Sequence, residues 1–204
     1  MKELIPSMRN LDCEKKSDKE LVKLTLENTD YYECIISRYE AKLMHYIRRI
    51  TNVDKETAED ILQEVFLKIY KNLHDFDDTF KFSSWAYRIT HNEAISHFRK
   101  QKARPELVDL AGSDDSDIDI LSTFPADINL RDDYVKKELA NKVREVIAVL
   151  PEKYRNALIL RYMEDKSYEE IADIMEKPAG TVATLINRAK AEFKKIAEKN
   201  HLNK

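Results

Sequence analysis

Apolar residues recur along most of this chain at spacings of three and four, with charged residues between them, which is the period of an amphipathic helix rather than a strand. Ser17 and Glu20 form a capping box. After it, Leu21, Leu24, Ile35, Ile36, Tyr39, Leu43, Tyr46, Ile47 and Ile50 predict two helices joined near Asn28–Asp30. A further helix is expected from about Lys55 to Leu73. Its buried stripe is Ile61, Leu62, Val65, Phe66, Ile69, Tyr70 and Leu73, and Asp60, Gln63, Glu64, Lys68 and Lys71 point mostly the other way. A loop from His74 to Phe82 leads into a helix from about Ser83 to Lys102 that carries Trp85, Ala86, Ile89, Ala94, Ile95 and Phe98.

Pro105 ends that helix, and no period is sustained from there to about Arg131, a stretch that reads as a linker of low folding propensity. Helical pattern resumes at Tyr134, Leu139, Val143, Val146, Ile147 and Leu150, and Pro151 opens a helix bearing Tyr154, Ala157, Leu158, Leu160 and Tyr162. Ser167 with Glu170 forms a second capping box before Tyr168, Ile171, Ala172 and Met175. A turn over Glu176–Gly180 follows, and Thr181 can cap a final helix with an inward stripe of Val182, Leu185, Ile186, Ala189, Phe193 and Ile196. The expected fold is all-α, with a tail over residues 1–16, a helical domain over 17–104, a linker over 105–131 and a second helical domain over 132–204. No internal repeat is detectable.

Composition supports that class. The chain has 204 residues and only two glycines, Gly112 and Gly180, both expected between periodic segments, whereas a β-rich protein needs more glycine for its turns. The net charge of −3 hides a pattern. From Glu106 to Asp133 nine acids face one arginine, a net of −8, while 88–104 and 178–204 each carry a net of +4. Two basic blocks therefore flank an acidic connector, a distribution that suits a nucleic-acid binder. Cys13 and Cys34 make no metal or redox spacing and suit a reduced, cytosolic setting. With no signal peptide and no apolar run long enough for a bilayer, a soluble cytoplasmic protein without membrane insertion is expected.

The last third carries the clearest chemistry. A short helix, a tight turn and a longer amphipathic helix match the helix-turn-helix that reads duplex DNA. The final helix turns Thr181, Ala183, Thr184, Asn187, Arg188 and Lys190 outward. Arg188 and Asn187 can hydrogen-bond base edges, Thr184 can meet a thymine methyl or a phosphate, and Lys190, Lys194 and Lys195 suit phosphates, which position without specifying. The alternative is a helical hairpin in a bundle whose charges are a solvated face.

In the first domain Phe76, Phe80, Phe82, Trp85 and Tyr87 precede a basic tail, a combination suited to single-stranded nucleic acid. Trp85 and Phe98 are assigned to packing; Phe80, Phe82 and the carboxylates Asp77 and Asp78 are the more exposed candidates. Asp60, Gln63 and Glu64, taken alone, are an ordinary solvated face. His91 and His97 lie six apart, off the shared face of a helical metal pair. Nothing matches a phosphate-cradling loop or a nucleophile–base pair, so no enzymatic activity, cofactor or metal is expected.

These segments resemble a known family. Glu59-Asp-Ile-Leu-Gln-Glu-Val-Phe-Leu-Lys-Ile-Tyr70 resembles the core-polymerase-binding helix in region 2 of sigma-70 family factors, and Phe82-Ser-Ser-Trp-Ala-Tyr-Arg-Ile89 with Asn92 the promoter-melting part of that region. Leu150-Pro-Glu, Ser167-Tyr-Glu-Glu-Ile-Ala172, Gly180-Thr-Val182 and Arg188-Ala-Lys190 resemble region 4. With the acidic linker and short length, the chain is identified as a member of the extracytoplasmic-function (ECF) group.

The resemblance implies a factor that binds core RNA polymerase and directs promoter recognition, DNA melting and transcription initiation, controlled in many relatives by an anti-sigma factor. Asp60, Gln63, Glu64 and Phe66 would dock on the β′ clamp. Asp77, Phe80, Phe82, Tyr87, Arg88, Asn92, Arg99 and Lys100 would capture single-stranded DNA at the −10 element, where flipping a base costs a few kcal/mol. Thr181, Ala183, Thr184, Asn187, Arg188 and Lys190 would read the double-stranded −35 element. Three positions depart from the family pattern: Ala183 and Leu185 stand where bases are usual, and Ser96 where Asp is common. A polymerase-independent regulator reading duplex DNA through residues 150–200, and a helical interaction protein without DNA affinity, are the alternatives from other classes.

Overall fold

Ser17 opens the first helix as expected. Its Oγ accepts from the Glu20 N–H at 3.3 Å, while the Glu20 carboxylate accepts from the Ser17 N–H at 2.7 Å, an exchange worth about 1 kcal/mol to a helix end. The structure, a computed structural model, describes residues 12–103 and 130–199. The regular elements among the described residues are helical. They are α1 (Asp18–Glu27), α2 (Tyr32–Thr51), α3 (Lys55–Lys71), α4 (Phe82–Ala103), α5 (Leu130–Val149), α6 (Glu152–Tyr162), α7 (Tyr168–Met175) and α8 (Ala179–Lys199), with 3-10 turns at Thr29–Tyr31 and Leu73–Asp75. The linker expected over 105–131 lies outside the described residues except for the start of α5.

Local chemistry sets the helix ends. Asp54 caps α3, its Oδ1 accepting from the Thr57 N–H at 2.9 Å. Asn52 closes α2 in the left-handed region (φ 55°) and donates its N–H to the Arg48 carbonyl, a conformation that asparagine tolerates better than most residues. The second capping box, Ser167 with Glu170, opens α7. Glu176, also left-handed (φ 53°), turns the chain out of it.

The start of α8 corrects the sequence expectation. The helix begins at Ala179, so Thr181 lies inside the first turn and donates its N–H to the Pro178 carbonyl at 2.8 Å. Proline suits this boundary because it has no N–H to leave unpaired. Gly180 accordingly sits within the helix, not between segments; its φ is not positive, and a Cβ built there would meet nothing within 4 Å.

α2, α3 and α4 pack on one another, and Leu21 of α1 joins their fully buried residues Leu43, Tyr46, Ile47, Ile61 and Ile69. Each such side chain contributes about 1.5–3 kcal/mol on leaving water. α6, α7 and α8 form the second unit. The two units meet directly: α4 lies against α7 and α2 against α6, so that Ile159, Leu160, Ile171 and Ile174 belong to the same apolar cluster as Ile47 and Tyr87. Two aromatics read as inward are exposed. Tyr70 (43%) sits one position beyond the stripe residue Ile69 and only leans its edge on Tyr32, and Tyr162 (56%) ends α6 beneath the Lys190 ammonium.

The cysteines also differ from expectation. Cys13 and Cys34 are joined as a disulfide, Cα–Cα 5.5 Å. Their separation of 21 residues carries no sign of this, because the pairing is made by the segment before α1 folding back over α2. Arg38 pins that segment, donating to the Asp18 carboxylate (2.7 Å), to the Lys16 carbonyl (2.8 Å) and to the Cys13 carbonyl.

Candidate nucleic-acid interface

Helical period splits α3 cleanly. Ile61, Leu62, Val65 and Ile69 are buried, and Asp60, Gln63 and Glu64 are exposed along the opposite side. Phe66, which the helical period puts in the buried stripe and the family resemblance puts in the docking set, is buried: its ring meets Tyr32 edge-on, and its carbonyl accepts from the Tyr32 hydroxyl at 2.5 Å. Leu67, 50% exposed three positions after Glu64, is the apolar residue that this face offers. The same three-residue step from Glu64 made it findable in the sequence.

The loop before α4 ends in an aromatic cluster. Phe82 stacks among Phe76, Trp85 and Tyr39 with ring centroids 5.3–5.6 Å apart and is 2% exposed, so the expectation of an exposed Phe82 is corrected. A large ring at the first position of α4 gains more from that pocket than from water. Phe80 alone of the two stands free, at 52% exposure. Asp77 is exposed, and hydrogen bonds from Thr79, the first being N–H to Oδ1 at 2.9 Å, hold its carboxyl below the usual range.

Along α4 the second unit buries Tyr87 of the predicted strand-binding set and hydrogen-bonds two of its exposed members. Tyr87 is 3% exposed, and its hydroxyl donates to Glu164 Oε2 at 2.7 Å. Burial is the first reason its phenol is pushed far above the ordinary range, with Glu164 adding to it. The Lys166 ammonium lies 4.2 Å from the Tyr87 ring centroid. Asn92 donates to Glu176 at 3.3 Å and Arg99 to Glu152 at 2.9 Å. Arg88 is half-buried and Lys100 exposed. Deeper in α4, His91 Nδ1 lies 2.8 Å from the Tyr46 hydroxyl. Burial holds that phenol protonated and pushes the imidazole down to about 4, so the two share this hydrogen bond as neutral groups.

Glu164 is the centre of this contact. Its carboxylate, 6% exposed, also accepts from Arg49 Nη1 at 2.6 Å. Sequence reasoning missed it, because its partners stand 115 and 77 positions away. Lys81 and Glu170 make an outer pair at 3.3 Å.

α8 presents the other expected surface. Thr181, Thr184, Asn187, Arg188 and Lys190 are exposed, and Ala183 is half-buried among them. Thr184 turns its hydroxyl onto the Gly180 carbonyl at 3.0 Å. Beneath, Val182, Leu185, Ile186 and Ala189 are buried against the rest of the unit, which explains why Leu185 cannot serve as an outward contact. Among the described residues there is no cluster of His, Cys, Asp or Glu suited to a metal, and no helix long and apolar enough to cross a membrane.

Comparison with known proteins agrees with this architecture. The Sigma-70 region 2 family model matches residues 35–104, and the Sigma-70, region 4 model matches residues 140–193. The chain is 35% identical to the ECF RNA polymerase sigma factor SigW of Bacillus subtilis over 87% of its own length and 94% of that protein. It is 32% identical to the ECF RNA polymerase sigma-E factor of Haemophilus influenzae, with the same coverage. Among solved structures it resembles CnrH in complex with the cytosolic domain of CnrY (TM-score 0.64, 17% identity, 90% of this chain and 99% of that one). It also resembles the sigma factor RpoE bound to the anti-sigma factor NepR from Bartonella quintana (TM-score 0.59, 18% identity, 82% and 96%). At those identities the structures speak to the fold.

Proposed function

Because this chain belongs to the sigma-70 family, in its ECF group, we propose that it binds core RNA polymerase in the cytoplasm and directs it to promoters. The observation that carries the reading is the succession, on one chain, of region 2 and region 4 matches within a 35% identity that spans 87% of its length.

Each surface takes a part. The exposed stretch of Asp60, Gln63, Glu64 and Leu67 on α3 docks on the polymerase clamp. Phe80, with Arg88 and Lys100, offers a ring and cations for an unstacked base and its phosphates at the −10 element, and Tyr87, Asn92 and Arg99 join them once freed of Glu164, Glu176 and Glu152. Phe66 and Phe82 serve by shaping those surfaces from beneath. On α8, Asn187 and Arg188 reach base edges of the −35 duplex. Ala183 offers a methyl where relatives carry a base, so this chain's −35 preference differs from theirs.

The packing of α4 on α7 and of α2 on α6 gives the free factor a shut form, and promoter opening requires the two units to part. A sigma factor held with an anti-sigma factor among the structural neighbours supports control of the same kind here.

Run-off transcription with purified core enzyme tests the proposal. The expected result is co-elution with core and initiation from a promoter that core alone ignores. A chain that binds duplex DNA yet neither co-elutes nor initiates would be a polymerase-independent regulator.

A further inference from the structure

Four arginines gather in one place where the two helical units meet. Arg48 and Arg49 at the end of α2 and Arg144 and Arg155 of α5 and α6 line a single cleft of about 80 Å³, walled by Ile147, Ile159 and Met163. All four are partly buried. Glu164 answers the charge of Arg49. Arg155 gives a hydrogen bond to the neutral Ala148 carbonyl at 3.2 Å, and Arg144 is held by its own contacts, Asn141 at 2.7 Å among them. Glu152 lies near enough to favour the Arg155 charge but gives its hydrogen bond to Arg99. The Nε atoms of Arg48, Arg49 and Arg155 are buried without a hydrogen-bond partner among the described residues.

Such a grouping is unfavourable by itself. Like charges repel more strongly where water is thin, and each buried donor left unsatisfied costs about 1–3 kcal/mol, more when charged. A single carboxylate would bring one negative charge and two acceptor oxygens, too little for Arg48 and Arg155 together. A phosphate group brings about two charges and three or more oxygens, arranged to accept the forked donors of several guanidiniums. The cleft has room for several water-sized groups, enough for one or two phosphates and too little for a duplex. The aliphatic wall excludes water and strengthens the attraction.

We propose that this cleft binds a small, multiply charged phosphoanion, pyrophosphate or the polyphosphate end of a nucleotide, gripped from α2 on one side and from α5 and α6 on the other. The site bridges the two helical units, so its ligand stabilises the form in which they touch. The proposal does not depend on the transcriptional reading, because binding is measured on the free chain.

Isothermal titration of the full chain with pyrophosphate, orthophosphate, a nucleoside triphosphate and sulfate, at constant ionic strength, is the test. Saturable binding of one pyrophosphate is expected, at least tenfold tighter than sulfate. Arg48→Gln and Arg155→Gln should each weaken it tenfold or more. Lys23→Gln, which removes an exposed α1 cation, should leave it unchanged. Circular dichroism checks folding, and Arg48→Lys, which keeps the charge and loses the fork, serves if the glutamine variant does not fold. A nucleotide that binds more tightly than pyrophosphate assigns a nucleotide as the source, equal affinities assign the phosphate group itself, and both uphold the site. Heats that follow ionic strength alone, or affinity unchanged in both arginine variants, would overturn it.

Discussion

α8 and α4 both carry residues suited to nucleic acid, and they differ in what faces them. On α8 the exposed Asn187 and Arg188 look into solvent, ready for a duplex groove. On α4, Tyr87, Asn92 and Arg99 each meet a carboxylate of the second unit, from Glu164, Glu176 and Glu152 respectively. On the proposed reading of α4 as the strand-binding helix, the protein's own carboxylates already occupy these three donors. The lesson is one of order. If α8 and α4 take the parts proposed for them, duplex contact through α8 needs no rearrangement, whereas single-strand capture must first displace an internal competitor.

The strongest way to break this contrast is Glu164→Gln. Arg49, whose side chain is only 12% exposed, would lose its counter-charge, and breaking a buried pair costs about 3–5 kcal/mol. Urea unfolding should show that loss, and single-strand binding by the free chain should rise. An unchanged midpoint would mean that the units hold together without this pair.

A second effect sharpens the buried side. His91 stays neutral down to about pH 4, against 6.5 for a free imidazole. Between those values the unfolded chain takes up a proton that the folded chain refuses. Stability therefore falls as pH drops through that window, by roughly 3 kcal/mol at most, and this group adds no slope above it. His91→Gln should flatten the stability profile between pH 6.5 and 4; an identical slope in the variant would place the acid sensitivity elsewhere.

On the open side, Arg188→Ala should cost about 1–3 kcal/mol on the preferred −35 duplex and little on others. Equal losses on every sequence would make Arg188 a phosphate contact. The smallest effect on folding belongs to Arg99→Gln. Its pair with Glu152 is exposed on the arginine side (70%), so stability should change by less than about 1 kcal/mol. The log–log salt slope of single-strand binding should nevertheless drop by about 0.7, and an unaltered slope would remove Arg99 from the strand-binding set.

Much of this was legible in the sequence, and the misses have a common cause. Ser17 and Ser167 announce their helices because a capping box is written within four residues, and the stripes of α3 and α8 are written within one helix. Phe82 and Tyr70 were misplaced because a period tells which side of a helix is inward but not how far the neighbouring element reaches around it, whereas the period alone placed Phe66 correctly. Thr181 looked like a cap until Pro178 took the boundary. The Cys13–Cys34 pairing and the Glu164 contacts are decided by segments that meet only after folding, so no local pattern announces them. The same holds for the arginine cleft, whose members lie up to 107 positions apart, from Arg48 to Arg155.

Gly180 has a further consequence. It occupies the first turn of α8 with ordinary backbone angles and open space where a Cβ would sit. Nothing in the folded chain demands a glycine there, and alanine would restrict the unfolded chain and gain about 0.4–1 kcal/mol. The leading edge of α8 is thus kept smooth and somewhat loose at the expense of helical stability. Bare backbone at that edge lets a partner's surface come close to the first turn, a trade of rigidity for approach.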